Sequence, residues 1–258
     1  MRAWLQRWRE TRTLEKRAIP EPLWQRTLAR FPFLSYRHAG DVARLRDMAT
    51  LFLARKEFTG AHGLAVDDEM AVAIAAQACV PVLELGLAWY DGFVGIVVHA
   101  DAVVAQREFT DEAGVVHEYE EELSGEAMHG GPVMLSWVDV DEAGESAELG
   151  YNVVIHEFAH VLDMRDGEAD GVPPLPDRAA RDAWLQVLLD EFDEFCERVD
   201  AAQDTLLDPY GAQAPEEFFA VAAEAFFVAP LAFRAEHPRL YALLQGFFQQ
   251  DPAAHAPP

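Results

Sequence analysis

Apolar residues recur at three- and four-residue spacing from Pro22 to about Phe31 and again from Asp41 to about Lys56, with arginines between them. That spacing predicts two amphipathic helices. A third helix begins where Asp67 or Asp68 can cap it and runs to about Cys79; its sequence, EMAVAIAAQAC, is nearly all apolar, so it is expected inside the fold. Pro81 stops it, and the texture then changes. VPVLEL (80–85), FVGIVVH (93–99), VVHEYEEEL (115–123) and GPVMLSW (131–137) are short, β-branched and separated by Gly, Asp and Pro, so they read as strands of one small sheet. The polar segment DEAGESAEL (141–149) leads back to helices around residues 148–164, 177–199, 215–228 and 237–249. Helices, then strands, then helices predict an α+β fold, mostly helical with one small mixed sheet.

Charge divides the chain more sharply than periodicity does. The 258 residues carry a net charge of −25, yet residues 1–56 hold 13 of the 20 Lys and Arg against five acids. The acidic remainder would repel nucleic-acid phosphates and anionic membrane surfaces, so neither is an expected partner. The basic head is expected to pack on the acidic body and neutralise it. The division implied is a basic helical region, 1–60, before a catalytic region, 61–258, or one continuous domain. Cys79 and Cys196 lie far apart outside any CxxC pattern, which argues for buried thiols and against a disulfide framework. The first residues hold no uninterrupted apolar run of signal-peptide length and no small-residue cleavage site. The longest apolar stretch, 78–98, is broken by Pro81, Glu84, Asp91 and Gly92, short of what a bilayer-spanning helix needs. A cytoplasmic setting is therefore expected.

The chemistry lies in VVIHEFAHVLDM, where His156, Glu157 and His160 form an H-E-x-x-H pattern on a predicted helix. Imidazoles four residues apart are offset by about 40° around a helix and about 6 Å along it, so both can face one ion. Zinc suits them because it takes neutral imidazole and accepts a tetrahedral site with one position left for water. Glu157, beside the first ligand, can then take a proton from that water. The flanking Val153, Val154, Ile155, Phe158, Ala159, Val161 and Leu162 predict a buried helix, and buried ionisable groups are costly unless paired or bound to metal.

A third protein ligand is needed. The metzincin extension requires Gly at 163 and His at 166, and both positions are Asp, which excludes that subclass. His255 falls in the Pro- and Ala-rich tail and His237 at a helix start, so neither is favoured. In PEEFFAVAAEAFF, Glu217 and Glu224 are seven residues apart and share a face of an apolar helix. A metal would satisfy one; the other can hydrogen-bond a ligand histidine or a backbone amide. Asp163, three residues past His160, can hold an imidazole in the required tautomer, cap the helix end or pair with Arg165. An edge strand beside such a helix can bind a substrate backbone as an added strand, and GPVMLSW (131–137) is the best candidate, though a plain core strand explains the same residues. His129, just before it, is read as a surface loop residue.

HEFAHVLDM, the following RDGEADGVP, the DPYG turn, PEEFFAVAAEAFF and the closing FFQQDP resemble the Mlc titration factor A family of bacterial zinc metallopeptidases. The likeness runs from the PFL and QAC segments to the C-terminus. It implies a zincin-like fold similar to the catalytic domain of anthrax lethal factor, with the HEFAH helix at the active site. It further implies one zinc ion per chain on His156, His160 and Glu217, with Glu224 behind a ligand. Glu157 would be the catalytic base, and Tyr210, seven positions before Glu217, would polarise the substrate carbonyl. The function implied is an aminopeptidase-like peptidase of short peptides. The family name also implies a regulatory alternative, a protein that sequesters a transcriptional repressor controlling sugar uptake.

Overall fold

The computed structural model describes residues 2–110, 116–146 and 150–257. In chain order its helices are α1 (Arg2–Arg17), α2 (Glu21–Arg30), α3 (Ala39–Arg55), α4 (Asp68–Cys79), α5 (Trp137–Ser146), α6 (Val153–Asp163), α7 (Arg178–Asp200), α8 (Pro215–Val228), α9 (Pro230–Glu236) and α10 (Pro238–Phe248). The strands are β1 (Glu57–Gly60), β2 (Gly95–His99), β3 (Val103–Thr110), β4 (Val116–Leu123), β5 (Gly125–Ala127) and β6 (Val133–Ser136). The result is an α+β protein, mostly helical, with one small mixed sheet. No helix among the described residues is long and apolar enough to cross a membrane.

Local chemistry explains where the helices start. Asp67 accepts the Met70 N–H at 2.9 Å and Asp177 accepts the Ala180 N–H at 2.9 Å, each satisfying an amide that the first turn leaves bare. Proline stands in the first turn of α2, α8, α9 and α10, where its missing N–H costs nothing.

The mixed sheet has the order β1-β2-β6-β5; β1, β2 and β6 run parallel, and β5 runs antiparallel to β6. Four expectations are corrected here. Residues 80–85 form turns rather than a strand: Pro81 ends α4, and backbone bonds from Leu83 to Val80 and from Gly86 to Val82 curl the chain while Val80, Val82 and Leu83 stay buried. Within VVHEYEEEL, Val115 lies outside the described residues, and Val116–Leu123 pairs, among the described strands, with β3 in a separate two-stranded antiparallel sheet. GPVMLSW is an interior strand flanked by β2 and β5, so it does not offer the edge expected of it; that edge belongs to β5. Residues 137–146, expected as strand end and polar linker, are helical because Val140 and Ala143, three apart, both turn into the core.

One buried cluster draws on both ends of the chain, from Trp24, Phe33 and Phe52 to Phe227, Leu240 and Phe248. Phe52 of α3 and Tyr90 meet Phe158 of α6 at ring-centroid distances of 5.7 and 5.0 Å. β1, from the basic N-terminal region, pairs directly with β2. The chain end is also packed: Tyr241 donates to Asp251 at 2.6 Å and accepts the Ala253 N–H at 3.1 Å. Phe158, Phe218, Phe219, Phe226 and Phe227 are fully buried, and aromatic side chains remove about 150–250 Å² each from water. This buried aromatic packing anchors α6 and α8 against the rest of the core.

Candidate metal centre

Asn152 starts α6. Its side chain accepts the Ile155 N–H at 2.9 Å, and its amide donates to Gln77 of α4 at 2.7 Å. Its own N–H donates to a carboxylate oxygen of Glu224 on α8. The other Glu224 oxygen lies 2.8 Å from Nδ1 of His156. A buried carboxylate there makes a favourable contact only with a protonated Nδ1, so neutral His156 presents a bare lone pair at Nε2. Gln77 in turn donates to the Ala73 carbonyl at 3.2 Å. This chain of buried hydrogen bonds therefore sets both the start of α6 and the orientation of its first histidine.

Nε2 of His156 faces Nε2 of His160 at 3.2 Å and Oε2 of Glu217 at 3.1 Å, and His160 Nε2 lies 3.3 Å from the same oxygen. His156, His160 and Glu217 form a group able to hold a metal ion, one donor atom from each within 4.8 Å of the others. A tetrahedral zinc site with bonds of about 2.0–2.1 Å has donor–donor edges of about 3.3 Å, so this triangle fits one face of such a site. The donor chemistry also fits: with His156 protonated on Nδ1, acceptors crowd one point, and a cation relieves the crowding. The electrostatics agree in direction. Burial disfavours charged His156, but hydrogen bonds to Glu217 and Glu224 outweigh it and hold the imidazole well above its ordinary pKa. Burial likewise raises Glu217, yet hydrogen bonds to both imidazoles bring its carboxyl down to about 2. The site attracts positive charge.

Glu157 points to the strand side of α6. It is 4% exposed, its Oε2 has no hydrogen-bond partner among the described residues, and burial pushes its carboxyl up to about 7. Gly125 of β5 lies directly against it: a Cβ there would sit 2.5 Å from Glu157 Oε1 and 2.7 Å from Cδ. Tyr210 stands on a short turn whose first N–H is held by Asp208 at 2.8 Å, and its ring centroid is 6.0 Å from that of His156. A cavity of about 290 Å³ is lined by Gly125, Tyr151, His156, Glu157 and Tyr210. A second, of about 230 Å³, opens beside it between Glu126, Ala127, His160, Glu216 and Glu217.

Asp163 is buried; its Oδ2 accepts the Gly171 N–H at 2.9 Å and its Oδ1 has no hydrogen-bond partner among the described residues. Burial pushes its carboxyl up to about 7. Arg165 donates instead to the carbonyls of Ala88 and Trp89. His237 is buried against Glu191 at 3.1 Å, His255 packs on the His38 ring, and His129 is exposed; none belongs to the metal-binding group. Gln77, Asn152, Gly125, Ser124 and Tyr151 at or behind the cavity escaped the sequence reading. Only Asn152 carried a local signal, as an N-cap residue directly before an apolar helix.

Comparison with known proteins places these features in a class. The glucose-regulated metallo-peptidase M90 model matches residues 5–249, and the chain belongs to that family of metallopeptidases. Its relatives include Mlc titration factor A of Enterobacter sp. (strain 638), 34% identical over 248 residues that cover 95% of this chain and 91% of that protein. Mlc titration factor A of Salmonella arizonae is 35% identical over 234 residues, 90% of this chain and 92% of that protein. The protein of that name from Escherichia coli (strain K12 / DH10B) is 34% identical over 248 residues, 95% and 91% respectively.

Proposed function

We propose that the chain is a zinc-dependent peptidase of zincin-like build that hydrolyses short peptides in an aminopeptidase-like manner. The observation that carries this is the triangle of His156, His160 and Glu217 donor atoms with Glu157 buried beside it. Zinc, one ion per chain on those three residues, would supply Lewis acidity toward a peptide carbonyl and a water molecule.

The chain's own residues do the rest. Glu157, with its carboxyl near neutrality, accepts the proton of the attacking water and returns it to the leaving amine. Gly125 presses Glu157 into place by contact, and Glu224 fixes the His156 tautomer from behind. Tyr210, which lines the same cavity as His156, donates its hydroxyl proton to the oxyanion. The outer edge of β5 pairs with the substrate backbone, a role open to it because β5 has only β6 as a neighbour among the described strands. Asp163, anchored on Gly171, steadies the end of α6 beside His160. A cytoplasmic setting accords with two free thiols, Cys79 and Cys196.

Glu157→Gln is the test. Metal content is expected to be retained while kcat/KM on peptides falls by about 10²–10⁴; unchanged cleavage would remove Glu157 from the mechanism. The relatives' printed name favours a second reading, binding of an Mlc-like repressor protein, with or without cleavage. The same variant separates the two, because partner binding survives loss of the base.

A further inference from the structure

A third cavity, of about 470 Å³, opens where the turn after β5 faces the end of α6 and residues 89–93. It shares Met164 with the cavity at His160 and Glu217, so the two are neighbours across that side chain. Trp89, Phe93, Met128, Val161 and Met164 line it, with Asp91, His129 and Arg165 also contributing. We propose that this cavity is the side-chain subsite of the peptidase, taking a large apolar or aromatic side chain two to three residues from the bond that is cut. The inference rests on the peptidase reading and names the substrate class for it.

The spacing follows from β5. Gly125 lies against Glu157, and Met128 stands three residues further on, just past the end of that strand. A peptide paired with that edge advances about 3.3 Å per residue, so its chain reaches Met128 about 10 Å from the reacting bond. Met128 is 44% exposed, and the turn holds it there. The Gly131 N–H donates to the Met128 carbonyl at 2.9 Å, and Gly130 has φ +66°, which a glycine adopts without strain.

The opposite wall is also built. Arg165 donates to the carbonyls of Ala88 and Trp89 at 2.9 and 2.8 Å, and its guanidinium lies 5.2 Å from the Trp89 ring centroid. Trp89 is backed edge-on by Phe247 at 5.6 Å. The aromatic wall is therefore set before any ligand arrives, and an apolar side chain gains contact at little cost in ordering.

The experiment uses tetra-alanine peptides in which each position in turn is replaced by Phe or Lys. Wild-type kcat/KM is expected to be about 10–200-fold higher for Phe than for Ala at one position and nearly flat at the others. Met128→Glu, at an exposed turn, is expected to abolish that preference and favour Lys there. Trp89→Ala should lose the Phe preference without gaining one for Lys. Calorimetric binding of the Phe and Ala peptides to Glu157→Gln gives a readout independent of cleavage. A binding preference in Glu157→Gln with no cleavage of either peptide by the wild type would uphold the subsite and sink the peptidase reading. Equal binding of both peptides, or a preference untouched by Met128→Glu, would overturn the subsite and leave the peptidase reading standing.

Discussion

On the helical wall of the cleft, polar groups are held by hydrogen bonds that run from Ala73 through Gln77, Asn152 and Glu224 to His156. On the strand wall, Gly125 meets Glu157 by bare contact, and the three residues of β5 are only half-buried. The first arrangement specifies orientation, since each donor has one acceptor at one distance. The second specifies only closeness, which leaves an open strand edge beside a fixed carboxylate. A cleft made of both would, on the proposed function, keep the metal-binding group oriented while the strand edge accepts different peptide sequences.

The largest expected effect strikes the contact wall. Gly125→Ala would push a methyl group into Glu157, whose flexible side chain can yield, so the loss should fall on catalysis more than on stability. A fall in kcat/KM of about a hundredfold, with melting temperature and metal content near wild type, is expected; wild-type kinetics would mean that Glu157 tolerates displacement. Glu224→Gln strikes the other wall. It turns an amide N–H toward either His156 or the Asn152 N–H, and metal affinity measured against a competing chelator should fall about 10–100-fold. Asn152→Ser keeps a helix cap but cannot reach Gln77. Denaturant unfolding of the metal-free protein should show a loss of about 1–2 kcal/mol, and no loss would mean that the hydrogen-bond chain is idle.

The smallest effect concerns Asp163 in chelator-treated protein. Its folded pKa is raised to about 7, above the ordinary carboxylate value, so the folded state binds the extra proton. Stability from this group is then full below about pH 4 and is lost as pH rises toward 7. Asp163→Asn does not titrate, so its stability relative to wild type should climb across that window by on the order of 1 kcal/mol. A pH-independent difference would show that Asp163 ionises freely in the fold.

The two walls also differed in how much the sequence disclosed. α8 was legible because its apolar run is long and its two acids recur at a helical interval. α6 was legible from its motif, although its start was set too early, since the chain bends at Gly150, φ +82°, before Asn152 begins the helix. β5 was not legible: Gly-Glu-Ala is short, small and polar, and its place at the sheet edge comes from pairing with β6. GPVMLSW looked like the edge because its own residues say nothing about how many neighbours it has. Gln77 was hidden in an alanine-rich helix, where a buried amide matters only once Asn152, 75 residues later, arrives beside it. Local patterns announce elements; the partners that make them functional are non-local.

His156 and His160 come from one helix, while Glu217 and Glu224 come from another some sixty residues later in the chain. A partly synthesised or misfolded chain therefore offers only a pair of imidazoles, which grip an ion far less firmly than the finished triad. On the proposed function, ion capture would be a late event that reports completed assembly, and immature copies would lack the hydrolytic centre.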